Sequence, residues 1–97
     1  MGKLEVVWTN QAKNSLKAIY DYYKEKSLQG AKKVKNDLLQ SPKTIYYSIQ
    51  YQIDEINSIY RRKVVRVFKV LYKESKNKIE IIDIVSSKRS PTILKKR

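Results

Sequence analysis

The chain has 97 residues, which suits a single domain with one compact core, and 41% of them are hydrophobic, too many for a disordered segment. It contains neither cysteine nor histidine, which excludes disulfides, zinc fingers, Cys-His enzymes and Ser-His-Asp hydrolases. The net charge is +13, and residues 61–97 alone carry 13 Lys/Arg against 3 Asp/Glu. The positive electrostatic field of such a chain favours a polyanionic partner: nucleic acid, the ribosome or an acidic protein segment.

The alternative interpretation of the charge is a merely soluble basic protein, but its concentration in one half of the chain argues against that. No apolar stretch is long enough to span a bilayer, and the first residues lack a signal-peptide core. We therefore expect a cytoplasmic protein. Residues 1–97 are expected to form one domain, with a mobile basic tail at about 90–97.

The first elements are a strand and a helix. Residues 4–8 are rich in β-branched and aromatic side chains and predict a short strand. Thr9 or Asn10 then offers a helix cap. An apolar stripe at helical spacing follows, formed by Ala12, Leu16, Ile19, Tyr20 and Tyr23. It predicts an amphipathic helix over about residues 10–26.

A second helix begins after Ser27, which is a further capping residue. Its apolar stripe consists of Ala31, Val34, Leu38 and Ile45. Ser41-Pro42 interrupts the stripe, so we expect either a kink or a stop with Ser41 capping a restart. The connection between the two helices is very short, which predicts an antiparallel helical hairpin. Residues 49–60 fit no single period and predict a loop.

The rest of the chain predicts a sheet. Residues 61–72 are strongly β-forming and long enough to fold back near Val65–Val67, although no Gly or Asn marks that turn. Residues 73–78 predict a polar connection. Residues 79–85 are apolar on both faces, as in a central, helix-covered strand. The fold class is therefore α+β: an N-terminal strand, an antiparallel helical hairpin, then an antiparallel sheet of two or three further strands.

In this order the sequence resembles the RelE/ParE superfamily of type II toxin–antitoxin toxins, the plasmid-stabilisation type. The segments that carry the resemblance are Val7-Trp8-Thr9 with the following helix, Tyr51-Gln52-Ile53-Asp54-Glu55, Tyr60-Arg61-Arg62, Phe68-Lys69-Val70-Leu71-Tyr72, Ile79 through Ile84, and Lys88-Arg89-Ser90-Pro91. Together they cover nearly the whole chain. The resemblance implies a RelE/ParE-like fold and a growth-arresting activity.

The resemblance implies two chemistries. RelE-like members are mRNA interferases that cleave messenger RNA in the ribosomal A site without metal or cofactor. ParE-like members poison DNA gyrase and are not enzymes. Both kinds are neutralised by a cognate antitoxin, for which we expect a groove lined by apolar residues of the helical hairpin and the sheet edge. A non-toxic, basic nucleic-acid-binding module remains the alternative.

RNA cleavage needs a group that stabilises the phosphate's developing charge, and arginine suits this role. We expect Arg62, Arg66 and Arg89 to contact phosphate. Further candidates for nucleic-acid binding are Arg61, Lys63, Lys69 and Lys88. The alternative for each of these residues is a place on a solvated strand face, where its charge prevents aggregation through the sheet edge. Family members often carry a C-terminal tyrosine, but none follows Arg89 here, which weakens the nuclease interpretation.

Tyr72 is either a proton carrier, a base-stacking platform or, more commonly at such a position, a core residue with a hydrogen-bonded hydroxyl. The other tyrosines are expected mostly to pack within helices and loops. Asp54 and Glu55 are two adjacent carboxylates without a third ligand, a weak metal signal. We therefore expect them in a solvated loop, with no metal or cofactor.

Overall fold

The computed structural model describes residues 4–87, so the predicted tail at 90–97 lies outside the described residues. The elements, in chain order, are β1 Glu5–Trp8, α1 Asn10–Lys24, α2 Leu28–Gln40, β2 Arg61–Val65, β3 Phe68–Ser75 and β4 Lys78–Ser86. Two 3-10 turns, Ser41–Thr44 and Ser48–Gln50, follow α2. The predicted α+β order is confirmed, with three strands after the helices. Neither helix within residues 4–87 has the length and apolar character that crossing a membrane requires.

Both helices begin at the predicted caps. The Thr9 hydroxyl accepts a hydrogen bond from the Ala12 amide at 3.2 Å, and the Ser27 hydroxyl accepts one from the Gly30 amide at 3.0 Å. Each satisfies an amide that has no partner inside its helix. The second helix ends at Gln40 because Pro42 cannot continue it, and the chain tightens into a 3-10 turn that Ser41 does not cap with its side chain.

The sheet order is β1-β4-β3-β2. The first strand pairs with β4 in parallel, whereas β2–β3 and β3–β4 are antiparallel hairpins. The last strand is therefore central, as its two-sided apolar pattern predicted. Thr9, at the end of β1, also donates through its hydroxyl to the carbonyl of Ile81 at 2.8 Å. This bond fixes the start of α1 against β4.

The core lies between the helical hairpin and one face of the sheet. Its buried members are Ala12, Leu16, Val34, Leu38 and Ile45 from the helical layer, with Phe68, Val70, Tyr72, Ile79, Ile81 and Ile84 from the sheet. Burying one large apolar side chain stabilises a fold by ~1.5–3 kcal/mol. The predicted helical stripes therefore supply the layer that covers the sheet.

Two-residue turns connect the sheet strands. Lys76 and Asn77 both have positive φ, 53° and 66°, as a type I′ turn requires. The polar connection predicted over residues 73–78 was therefore too long, since β3 continues to Ser75 and β4 starts at Lys78. The β2–β3 turn falls at Arg66–Val67, within the predicted region, and places Arg66 at φ 57°.

Candidate functional site

The candidate site is built around β2, the edge strand that carries three of the seven predicted cations. Alternation along the strand sends Arg61 and Lys63 to the helix-covered face and Arg62 to the opposite face, as expected. Cross-strand pairing places Lys69, opposite Val64, on the same face as Arg62. The structure thus divides the predicted cluster between the two faces of the sheet.

On the helix-covered face, Arg61 and Lys63 bind backbone oxygens of the segment that precedes β2. Arg61 Nη1 donates to the carbonyl of Tyr51 at 2.8 Å. Lys63 Nζ donates to the carbonyl of Ser41 at 2.9 Å and also lies 5.3 Å from the centre of the Tyr51 ring. Both side chains are half-buried. They hold the loop against the sheet.

On the opposite face, Arg62 and Lys69 surround a buried carboxylate. Lys69 Nζ lies 2.7 Å from Oδ1 of Asp54, and Arg62 Nη1 lies 3.8 Å from the same atom. Asp54 is 0% exposed and Lys69 is 8% exposed. The expectation that Asp54 belongs to a solvated loop is therefore wrong, whereas Glu55 is exposed as expected. The predicted phosphate-binding Lys69 is instead enclosed in an internal ion pair.

The environment of Asp54 favours its charged form. Burial alone would raise the pKa of this carboxyl, but hydrogen bonds from Lys69 and Asn57 outweigh burial and lower the pKa to about 2. Its second oxygen accepts the amides of Ile56 and Asn57 at 3.1 and 2.8 Å. Two backbone amides of the loop and the ammonium group of Lys69 on β3 thus bind the same carboxylate. These contacts hold the loop before β2 against the sheet.

Arg66 occupies the β2–β3 turn with its backbone in the left-handed region, where non-glycine residues are strained. Its Nε donates to Asp37 Oδ2 of α2 at 2.7 Å. Both side chains are 44% exposed, so the pair lies at the surface. Arg66 therefore ties the turn to the helical hairpin.

The remaining predicted residues are Tyr72, Lys88 and Arg89. Tyr72 is fully buried, which confirms the prediction that it is a core residue. Burial raises its pKa to about 12. Its ring meets that of Tyr51 edge-on at a centroid distance of 6.5 Å. Lys88 and Arg89 lie outside the described residues, so the structure places the predicted residues of β2, of the β2–β3 turn and of β3.

A cleft of about 440 Å³ opens beside the edge of β2. Its lining consists of Gln50, Tyr51, Gln52, Arg62, Lys63 and Val64. The lining is basic and contains no carboxylate, so it suits an anionic group. Its two cations already bond to protein oxygens, as Arg62 also donates to Gln52 Oε1 at 3.1 Å. An anion in this cleft would use their remaining donors.

A second cleft, of about 340 Å³, is apolar and lies between α1 and the β2–β3 turn. It is lined by Ala18, Ile19, Tyr22, Tyr23, Val67, Phe68 and Ser86. Tyr22 is 58% exposed and meets Tyr23 edge-on at 5.2 Å. Both tyrosines were predicted to pack within the fold. The pair Tyr22-Tyr23 indicates otherwise, because adjacent helix positions point in different directions and only one of the two side chains can face the core.

Exposed apolar side chains are also concentrated beside the sheet edge. Among residues 4–87, seven of the nine large hydrophobic residues with high exposure fall between positions 46 and 64: Tyr46, Tyr47, Ile49, Ile53, Ile56, Ile59 and Val64. Tyr46 and Tyr47 thus depart from the packing expected of them. Exposed apolar surface on this scale marks an interaction region more often than an ordinary surface.

Comparison with known proteins bears on the fold. No protein-family model and no curated protein matches the chain. A solved structure of the "Chromosomal ParDE TA system from P. aeruginosa" is similar to it with a TM-score of 0.74, covering 86% of this chain and 95% of that one at 21% sequence identity. The likeness at this identity is one of fold. The chain therefore has the RelE/ParE-like α+β fold that its sequence resemblance implied.

Proposed function

We propose that this chain is the toxin of a type II toxin–antitoxin pair, a ParE-like growth inhibitor that acts in the cytoplasm on DNA gyrase. The observation that carries the proposal is the agreement in fold, over 86% of the chain, with a chain of a ParDE system. The net charge of +13 supports a target that contains nucleic acid. Neutralisation by a cognate antitoxin is part of the proposal.

The chemistry around β2 favours gyrase binding over RNA cleavage. A cleaving site needs groups that accept and donate protons near neutral pH. Tyr72 is fully buried with a pKa raised to about 12, and the chain has no histidine. Arg61, Arg62 and Lys63 are engaged in fixing the loop. Among the described residues around β2, the cations serve the structure and the predicted proton carrier, Tyr72, is buried, which fits a binding toxin better than a nuclease.

The apolar cleft beside α1 supports an antitoxin partner. It lies between α1 of the helical hairpin and the start of β3, an interior strand, whereas the predicted groove was to include the sheet edge. An apolar face of a helix or an extended segment, with acidic residues at its rim, would complement this cleft within a strongly basic protein. Tyr22 is the exposed anchor that such a segment would cover.

The direct test is induced expression in a bacterial host. We expect growth arrest with gyrase-linked DNA breaks and intact transcripts. New in-frame ends on abundant transcripts, mapped by primer extension, would instead assign ribosome-dependent mRNA cleavage. If a folded protein causes no arrest, the proposal fails and the non-toxic nucleic-acid-binding module becomes the better interpretation.

The antitoxin cleft has a separate test with a matched control. Tyr22→Asp places a charge in the cleft, whereas Leu28→Asp places the same charge at an exposed apolar residue outside it; the two side chains are 58% and 50% exposed. When the chain is coexpressed with the product of the neighbouring reading frame, we expect only Tyr22→Asp to lose copurification. Equal losses in both variants would place the antitoxin elsewhere.

A further inference from the structure

The cations of the sheet and those of the helices differ in how they are engaged. Those on β2 and β3 mostly bond to carboxylates or carbonyls of the protein itself. In contrast, the side chains of Lys13, Lys32 and Lys33 on the helical hairpin make no ion pair, hydrogen bond or ring contact within residues 4–87. Among the described residues, the same holds for Lys76 and Lys78 at the β3–β4 turn, so the helices carry three of these unengaged lysines.

Lys13 and Lys32 line two clefts that meet at one tyrosine, Tyr20. The first, about 440 Å³, is lined by Lys13, Leu16, Lys17, Tyr20, Asp21, Lys24 and Lys35. The second, about 300 Å³, is lined by Tyr20, Lys32, Lys35, Asn36 and Leu39. We call the combined surface the Tyr20 face. It contains five lysines and a single carboxylate.

Tyr20 is half-buried at the centre of this surface, with lysine ammonium groups close to its ring. Lys35 Nζ lies 5.1 Å and Lys24 Nζ 5.6 Å from the ring centroid. At these distances the ring holds the ammonium groups by cation–π attraction. The single carboxylate, Asp21, bonds to Lys17 at 3.1 Å and approaches Lys24 at 3.9 Å. It leaves the other lysines without a counter-charge.

The spacing suits a chain of phosphates. Lys13, Lys17 and Lys24 lie on one side of α1, and eleven residues of helix span ~16 Å. Three ammonium groups spread over that length can meet successive phosphates of one nucleic-acid strand. An aromatic ring within a basic groove is characteristic of proteins that bind single strands, because every base and sugar offers a surface to it.

We propose that the helical hairpin carries a binding site for single-stranded nucleic acid, with the lysines of the Tyr20 face on its phosphates and Tyr20 on a base or sugar. This site is separate from the sheet-edge cluster that the sequence predicted. It is also independent of the proposed toxicity, since binding of an oligonucleotide is measured without a cell. RNA and DNA share the phosphate chemistry, and comparing the affinities of an RNA and a DNA strand shows which of the two the site prefers.

The test is fluorescence anisotropy of the full chain with labelled 12-nucleotide RNA and DNA strands across a range of salt concentrations. Lys13→Gln/Lys35→Gln removes two phosphate contacts, so the slope of log K against log salt should become less steep by ~1.4. Lys76→Gln/Lys78→Gln removes the same charge at the β3–β4 turn and should leave the slope unchanged. Tyr20→Leu should weaken binding by about 5- to 100-fold, and Tyr22→Leu should not.

Lys13→Arg/Lys35→Arg, which keeps the charge, should restore the slope and so separates lost contacts from a damaged fold. Equal slopes for both Lys→Gln pairs would overturn the proposal, since binding would then follow total charge. Equal competition by poly-glutamate of matched charge would also overturn it and would assign the face to an acidic protein segment. The absence of any strand binding by the folded chain would do the same, whatever its effect on growth.

Discussion

Lys69 Nζ lies 2.7 Å from Oδ1 of Asp54, and this buried pair joins the loop before β2 to the start of β3. Fifteen residues separate the two side chains in sequence. Two buried opposite charges contribute little net stability compared with an apolar pair, but removing one partner leaves the other without compensation. The pair therefore determines whether the loop stays in place.

Asp54→Asn should destabilise the protein by about 3 kcal/mol, because Lys69 would keep a charge in a buried position. The measurement is urea unfolding followed by circular dichroism. Asp21→Asn serves as the control, since it breaks an exposed pair with Lys17 and should cost no more than about 0.5 kcal/mol. Similar losses in both variants would contradict the importance of the buried pair.

Acid should weaken the wild-type fold through the same carboxylate. The pKa of Asp54 is about 2 in the folded chain against an ordinary 3.8. A depressed pKa contributes stability that is present above 3.8 and is lost as the pH falls toward 2. The loss should amount to about 2 kcal/mol across that window. Asp54→Asn should remove this part of the pH dependence, and an unchanged profile would argue against it.

Alkaline titration should reveal a late phase from Tyr72. Burial raises the pKa of Tyr72 from 10.0 to about 12, so its phenol should ionise late when the titration is followed by ultraviolet absorbance. Tyr72→Phe should remove that late phase and cost about 1 kcal/mol for the lost hydroxyl bond. Growth arrest should persist in this variant. Loss of arrest with a folded protein would return Tyr72 to a catalytic role.

Arg66→Gly and Arg66→Ala should have different effects on stability. Both remove the surface pair with Asp37, worth about 0.2–1 kcal/mol. Only glycine relieves the positive φ of 57°, which costs other residues about 1–2 kcal/mol. The glycine variant should therefore be more stable than the alanine variant by about 1 kcal/mol in thermal unfolding, and Asp37→Asn measures the pair alone. Equal stabilities would mean that the turn is not strained.

The parts of the fold that could be predicted are those governed by local rules. The hydroxyls of Thr9 and Ser27 accept hydrogen bonds from amides three residues later, so the start of each helix could be predicted from the local sequence. The connection between β3 and β4 was predicted to be longer than the two-residue turn Lys76–Asn77, because the ends of the two strands are polar. The parallel pairing of β1 with β4 joins residues 73 positions apart, which no local pattern specifies.

The candidate site was less predictable, because its contacts are distant in sequence and the same residue types serve both structure and binding. Charge alone pointed to Arg61, Arg62 and Lys63 as ligands for an anion, but backbone carbonyls nine or more residues earlier engage them. Asp54 gave no sign of burial, since a carboxylate is normally exposed. Its partner, Lys69, was predicted to bind nucleic acid.

The placement of β1 beside β4 has a consequence for the order of synthesis. The strand made first, Glu5–Trp8, finds its partner only when residues 78–81 have been made. On the ribosome the helical hairpin can form early, but the sheet cannot close until the last strand emerges. A translation product that stops before Lys78 therefore lacks β4, and β1 then has no strand to pair with.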